Sequence, residues 1–474
     1  MSTTSLLSSV LGASNSSTAV DISSILEAAT GASSTGIDVT SAVNSAVTAA
    51  EGPENIWNAQ ITLLASETTA LTKINTDTTT LDNDMQSLNS LTGPLSQSTV
   101  ASSNSSVVTA TAASGTAAGN ISVVVTNLAS TASYSSTTVA SATTALPAES
   151  FTLTNSSGAG VTLTTSGTDT LTDLENSINS AGIGVTASIA TDTSGARLVL
   201  TSDTSGSAGS FTASSTGTTF AFATAGKALN ASLMVNGVSI SSSTNTVTGA
   251  VPGLTLNLLS ASPGTTANLT VAPNTTAVST AINKFVTDYN AAVADLNTQF
   301  TYTSGSGEGP LAQDSAVQNL QNTLEQAVGY TATPASGNTT TTVPNLTSLG
   351  IAVGSDGTLS VDSTTLSNVL QNNFGDVQNF FQGASLNGFA SVLDKQLTSF
   401  TSTADGAFTV DLQSIATQSA GLSTDITNFQ TNVLVPLQTK MQSDFSQAEI
   451  LLQQLPNEIK QIDTELGENS SSSS

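Results

Sequence analysis

Apolar residues fall at helical seam spacing near both ends of this chain and at a period of two between them. Trp57, Leu64, Leu71 and Met85 occupy one heptad position, and Ile74, Leu81 and Leu88 the second seam position. Toward the other end Phe445, Ala448, Leu452, Leu455, Ile459, Ile462 and Leu466 keep alternating short steps. Full burial of one such side chain gains roughly 1.5–3 kcal/mol, and ordering each backbone residue costs roughly 1–2 kcal/mol. Neither seam is therefore expected to stand alone. Each must be covered by the other, by further copies of the chain, or by both.

Before the first seam, Val39, Val43 and Val47 predict a helix that Gly52-Pro53 interrupts, and Gly93-Pro94 marks the end of the heptad stretch. The pattern then alternates. Ile121 to Val123, Phe151 to Leu153, Val161 to Leu163 and Arg197 to Thr201 predict short antiparallel strands, with one short helix near Leu171 to Asn179. Asn236-Gly237 between Met234-Val235 and Val238 to Ile240 predicts a type I′ hairpin. Helical spacing returns at Val278, Ile282, Phe285, Val286, Tyr289 and Val293, and again from Val317 to Val328 behind Asp314 as N-cap. A further hairpin is expected around Asp356-Gly357, then helix to the end, with breaks or kinks at Pro436 and Pro456.

The fold class expected is α+β: a helical coiled-coil stalk from both termini and a helical domain, with a large inserted antiparallel β-rich head of two small domains. The organisation reads as a mobile segment over 1–35, N-terminal coil helices over 36–97, and the head over 98–277, its second subdomain inserted in the first. A helical domain with a β-hairpin follows over 278–405, a C-terminal coil over 406–469, and a disordered tail over 470–474.

Composition narrows the function. Charged residues are only 8% of the 474, against about 25% in ordinary domains. Serine, threonine, asparagine and glutamine stand in their place. Asp and Glu number 33 against seven Lys and Arg, a net charge of −26. Nucleic acid and anionic membrane both demand a cationic footprint that seven scattered positives do not supply. No apolar run approaches the ~20 residues of a bilayer span, and no basic residue precedes Lys73, so neither a membrane span nor a cleaved secretory signal is expected.

There is no histidine and no cysteine. That removes Ser-His-Asp triads, thiolate nucleophiles and Cys/His zinc sites, and leaves carboxylate chemistry. No aromatic-lined pair of acids accompanies it, so neither an enzyme nor a cofactor is expected. Asp192 to Gly195 and Asp356-Gly357 read as turns rather than calcium loops, and the Asn-X-Ser/Thr triplets as products of composition.

An ordered set of short motifs then carries a resemblance. Gly36 to Val39 precedes a helix; Gly119 to Ala129 forms an alternating strand; Leu174 to Thr201 is similar to the hook "IN" motif of axial flagellar proteins. Val235-Asn236-Gly237, Asn245 to Val247, Pro252 to Leu256, Phe285 to Asn290, Gly309 to Asp314, Leu349 to Ile351 and Asp356 to Leu359 follow in order, with Phe445 and Glu449 in the last coil. Over roughly residues 36–466 the chain resembles the flagellar filament cap family (FliD, flagellar hook-associated protein 2). It departs from that pattern in its nearly uncharged coils, in Pro436 and Pro456, and in the length before Gly36.

The resemblance implies an extracellular cap at the flagellum tip, a homo-oligomeric ring that retains exported flagellin and promotes its folding and insertion. It also implies contact with hook-associated junction proteins, a cytoplasmic export chaperone, and passage through the flagellar type III pathway without a cleaved signal. The rival readings are another axial flagellar protein of the hook–filament junction, and a surface adhesin. The residues expected to form the self-assembly and filament-docking seam are Trp57, Leu64, Leu71, Ile74, Leu81, Met85, Leu88, Phe445, Leu452, Leu455, Ile459, Ile462 and Leu466.

Overall fold

The computed structural model describes residues 39–217, 219–305, 307–334, 340–383 and 386–471. The expected mobile segment over 1–35 lies outside them. Helix α1 (Val39–Ala50) leads into α2 (Gly52–Asn89), where Pro53 sits in the first turn and removes only an amide that the helix leaves unbonded in any case. Threonine is a poor helix former, yet α2 is rich in it. The hydroxyls of Thr62, Thr68, Thr69, Thr76, Thr79 and Thr80 each donate to the carbonyl four residues back, and buried Thr78 does the same to Ile74 at 2.6 Å. These threonine hydroxyls are thus satisfied by the helix's own backbone.

Strands follow the expected period. β1 (Ser98–Ser102), β2 (Val108–Ala112), β3 (Gly119–Asn127) and β4 (Ser133–Ser136) precede β5 (Ser150–Asn155) and β6 (Gly160–Thr164). After α3 (Leu171–Ala181) come β7 (Val185–Asp192), β8 (Gly195–Ser202), β9 (Phe211–Ser215) and β10 (Phe222–Gly226). Then β11 (Ala231–Val235), β12 (Val238–Ser242), β13 (Thr246–Val251), β14 (Leu254–Leu258) and β15 (Ala267–Pro273) close the β region.

Two hydrophobic cores organise them. A five-stranded sheet, β1-β15-β3-β11-β12, and a three-stranded one, β13-β14-β2, share Val108, Val123, Val125, Leu233, Val247, Leu256 and Leu269. A second pair of sheets, β10-β4-β8-β7 and β6-β5-β9, packs with α3 around Phe151, Leu153, Leu174, Ile178, Leu198, Leu200 and Phe220. Every buried residue of the second core falls between Ala129 and Ala231 of the first. α3 begins where the pattern placed it, with a capping box in which Thr170 and Asp173 exchange side-chain and backbone bonds.

The β11–β12 turn is the type expected: Asn236 has φ 47° and Gly237 φ 83°. The Asn236 carboxamide oxygen also accepts from the Ser122 amide of β3 at 2.9 Å, which ties the turn to the sheet. Replacing both residues by alanine puts two Cβ atoms in the left-handed region at about 1–2 kcal/mol each. The expected result is faster amide exchange along β11 and β12 with α3 unaffected.

Helices α4 (Thr275–Phe300) and α5 (Ser315–Val328) follow. Asp314 caps α5, its Oδ1 accepting from the Ala316 and Val317 amides at 2.8 and 2.9 Å. The hairpin β16 (Ile351–Val353) and β17 (Leu359–Val361) precedes α6 (Ser363–Asn372), α7 (Phe374–Gln382), α8 (Phe389–Thr401) and α9 (Ala407–Phe429). The last helix, α10 (Val435–Ser471), is joined to α9 through a π-helical turn at Gln430–Leu434.

That turn falls where the seam changes phase, since Val433, Leu437, Met441 and Phe445 step by four beside Pro436. Val435 N–H bonds back to Gln430 rather than four residues back, so one extra residue enters the helix immediately before the proline that cannot donate. At Pro456, where a break or a kink is expected, helix is continuous, so the chain does not break there. Helix also extends through Ser471, so the first two residues of the expected tail are helical; 472–474 lie outside the described residues.

The chain forms two compact units. A helical unit combines the segment ending at Leu81 with Asp288–Glu325 and the segment from Lys395; the β-rich unit comprises Asp82–Thr287 and Gln326–Asp394. These units cut across the segment 278–405 that the sequence groups as one helical domain.

Candidate functional site

The structure divides the expected seam into three kinds of position. Leu71, Ile74 and Leu81 in the helical unit, and Met85 and Leu88 in the β-rich unit, are fully buried. These five serve the chain's own core, which corrects their expected place on a docking surface. The covering partner is α4. In the helical unit Lys73 of α2 bonds Asp295 of α4; in the β-rich unit Lys284 of α4 bonds Asp84 of α2 at 2.6 Å. The facing positions of α4, Val278, Ile282, Phe285, Tyr289, Ala292 and Leu296, are buried as α2's are.

Trp57 and Leu64 are half-buried. Here the two ends of the chain do meet. The Trp57 ring stands edge-on to Phe429 with centroids 5.6 Å apart, Gln430 Nε2 donates to Glu54 Oε1 at 2.6 Å, and α1 packs along α10. Ala42, Val43 and Ala46 supply the buried face of α1. Phe445 and Ala448 are half-buried, the last described positions of the C-terminal seam with substantial cover.

Beyond Ala448 the seam is open. Leu452, Leu455, Ile459 and Ile462 are 50%, 49%, 50% and 54% exposed, with Ile450 and Leu451 also exposed beside them. The side chain of Leu466 lies outside the described residues. Few charges interrupt this stripe: the Lys440–Asp444 pair stands ahead of it, with Glu449, Glu458 and Lys460 along its length. Apolar side chains in such a row on one helix, rimmed mostly by neutral polar groups, mark a surface that gains by being covered.

Two further features have no strong signature in the sequence. Gln382 of α7 is buried and donates through Nε2 to the carbonyls of Leu88 and Ser90 at 3.3 and 3.1 Å, closing the C-terminus of α2 from another element. Phe285, Tyr330, Phe380, Phe381 and Phe389 form one aromatic cluster with centroid separations of 5.0–5.9 Å. Only their apolar character was legible.

Chemistry is sparse. One cleft of about 220 Å³ lies beside Asn155, Ile183, Thr204 and Phe211, and another of about 230 Å³ beside Leu95, Gln97, Thr116 and Phe374. No titratable side chain lines either. Among the described residues no group of acids is placed to hold a metal ion, and no helix is long and apolar enough to cross a membrane.

Against known proteins, residues 35–132 match the family Flagellar hook-associated protein 2 N-terminus, and residues 228–457 match Flagellar hook-associated protein 2 C-terminus. The chain belongs to the flagellar hook-associated protein 2 family. Residues 150–204, within the second β core, match the Flagellin hook IN motif. A curated relative, the A-type flagellar hook-associated protein 2 of Pseudomonas aeruginosa, is 33% identical over 132 residues, 27% of this chain. The matched stretch spans 26% of that relative's length.

The fold agrees with that membership. The crystal structure of the D1-D2-D3 domains of the Escherichia coli flagellar cap protein FliD aligns with a TM-score of 0.57 at 24% identity, over 73% of this chain and 99% of that one. The crystal structure of FliD from Pseudomonas aeruginosa PAO1 aligns over 42% of this chain and 98% of its own at 23% identity, with a TM-score of 0.35.

Proposed function

We propose that this protein caps the distal end of a bacterial flagellar filament, as a ring of several copies that retains exported flagellin and promotes its folding and insertion during elongation. The observation that carries the reading, given the family, is the open stripe from Leu452 to Ile462 on α10. It joins the half-buried Trp57, Leu64 and Phe445 as the docking surface, used between copies and toward filament subunits. The near-neutral rim supports repeated docking and release, because no strong ion pair has to be broken when the cap shifts.

The same reading places the protein outside the cell, at the flagellum tip. Its partners are flagellin and the hook-associated junction proteins, with a cytoplasmic chaperone before export through the flagellar type III pathway. The role is structural: a chain without histidine or cysteine has no thiolate or imidazole to offer catalysis.

A deletion strain tests this. Loss of the gene is expected to stop filament growth and to release monomeric flagellin into the medium, with both restored by the gene in trans. Full-length filaments and unchanged retention of flagellin in the deletion strain overturn it.

A further inference from the structure

We propose that Asn236 is a spontaneous modification site: its carboxamide is lost through ring closure with Gly237, and the isomerised product frees edge strand β12 from its sheet. An asparagine or aspartate followed by glycine is the pair most open to this chemistry, because glycine has no Cβ to keep its nitrogen from the preceding side-chain carbonyl. The chain has four such pairs, Asn236-Gly237, Asp356-Gly357, Asn387-Gly388 and Asp405-Gly406. In three of them the glycine amide, which must act as the nucleophile, is already donated within the backbone: Gly357 to the Gly354 carbonyl at 3.2 Å, and Gly388 to Gln382 and Gly406 to Ser402 at 2.9 Å each. Gly388 and Gly406 are also crowded by the carbonyls of Phe381 and Phe400. The Gly237 amide makes no such bond among the described residues, and a Cβ there would meet nothing within 4 Å.

Asn236 and Gly237 are exposed at the tip of the β11–β12 hairpin, and β12 lies at the edge of its sheet, paired to β11 alone. What restrains them is Ser122 of β3. The Ser122 amide donates to Asn236 Oδ1 and the Asn236 amide to the Ser122 carbonyl, both at 2.9 Å, so the carboxamide is held toward β3. Reaction therefore waits on local opening of the turn. Opening there disrupts strand pairing on one side only, which costs less than opening inside the sheet.

The step balances without oxidant or reductant. The Gly237 nitrogen, its proton lost to solvent base, bonds to Asn236 Cγ; the Cγ–Nδ2 bond breaks, and ammonia leaves with a proton in place of the one the amide gave up. Solvent water then opens the five-membered imide at one of its two carbonyls. Opening at the side-chain carbonyl leaves aspartate, which still offers an oxygen to the Ser122 amide. Opening at the main-chain carbonyl leaves isoaspartate, whose backbone runs through Cβ and Cγ and is one atom longer. A two-residue turn cannot absorb that atom and keep the two strands in register.

Peptide mapping by mass spectrometry tests this on the full-length protein, incubated folded and in urea in heavy-oxygen water, where each conversion leaves one labelled oxygen. In the folded protein Asn236 is expected to convert about tenfold faster than Asn387, at a rate that rises with pH as the Gly237 amide is more readily deprotonated; in urea the two are expected to agree within about twofold. The isoaspartyl fraction is expected to show faster amide exchange along β12 with α3 unchanged. Ser122→Pro, which removes the restraining amide, is expected to speed conversion at Asn236 severalfold, and Ser122→Ala, which keeps it, to leave the rate as it is. Should the proline variant fail to fold, the comparison of Asn236 with Asn387 in the wild type still decides. Asn236 that stays intact in the folded protein while converting in urea, or Asn387 that converts as fast as Asn236 when folded, overturns the assignment. Unchanged β12 exchange in the isoaspartyl fraction overturns the release of the strand.

Discussion

Replacing Ile74 and Leu81 together by aspartate unfolds the helical unit instead of merely detaching it from partners. Both side chains are completely buried, and truncating a core isoleucine or leucine to alanine alone costs about 2–5 kcal/mol. Aspartate adds the penalty of placing a carboxylate among apolar neighbours without a cation, several kcal/mol more at each site. The two positions lie seven residues apart on one helix, roughly 10 Å, so their effects nearly add. Their sum is comparable to the whole stability of an ordinary domain, about 5–15 kcal/mol. Circular dichroism is expected to show loss of the cooperative helical transition, with the β-rich transition retained. An unchanged midpoint with only self-association lost means that these residues face outward after all.

Why the sequence misplaced these two residues is instructive. A heptad seam states that a helix face is to be covered; it carries no information about the covering element. Ile74 and Leu81 on α2 are seven residues apart as Leu455 and Ile462 on α10 are, yet the first pair is buried and the second half-exposed. The difference lies in α4, whose own stripe from Val278 to Leu296 is equally regular, and in Lys73 and Lys284, whose partners lie 222 and 200 residues away. Pairings at that distance are set by tertiary contacts that no local period encodes. Features whose physics is local were legible in full: Asn236-Gly237 as a left-handed pair, Asp314 as a cap, and Phe151 to Leu153 as an alternating strand.

Pro456 shows the same limit from the other side. Local propensity predicts a break there, at about 3 kcal/mol or more for an interior proline, yet helix continues through it. Each proline removes one donor and leaves one carbonyl without its helical bond. On a helix whose far half is solvent-exposed, water satisfies that carbonyl, so the cost is smaller than in a buried rod.

Replacing Leu455 and Ile459 by aspartate has the converse outcome to the buried pair. Both are about half exposed, so the folded monomer loses little, within the ~0.5 kcal/mol typical of surface positions, and its melting temperature stays within error of wild type. Docking loses much more. The exposed half of each side chain is worth about 1 kcal/mol on burial, so the pair removes roughly 2 kcal/mol from each contact, about thirty-fold in affinity, before the carboxylates are desolvated. In a ring or filament tip the contact repeats in every copy and the loss multiplies. Light scattering is expected to show a monomer at concentrations where the wild type assembles, and a strain carrying the variant is expected to shed flagellin as the deletion does. If the variant assembles at the wild-type concentration while remaining folded, the stripe is not the docking surface, and the interface must be built from Trp57, Leu64 and Phe445 or from the β-rich unit.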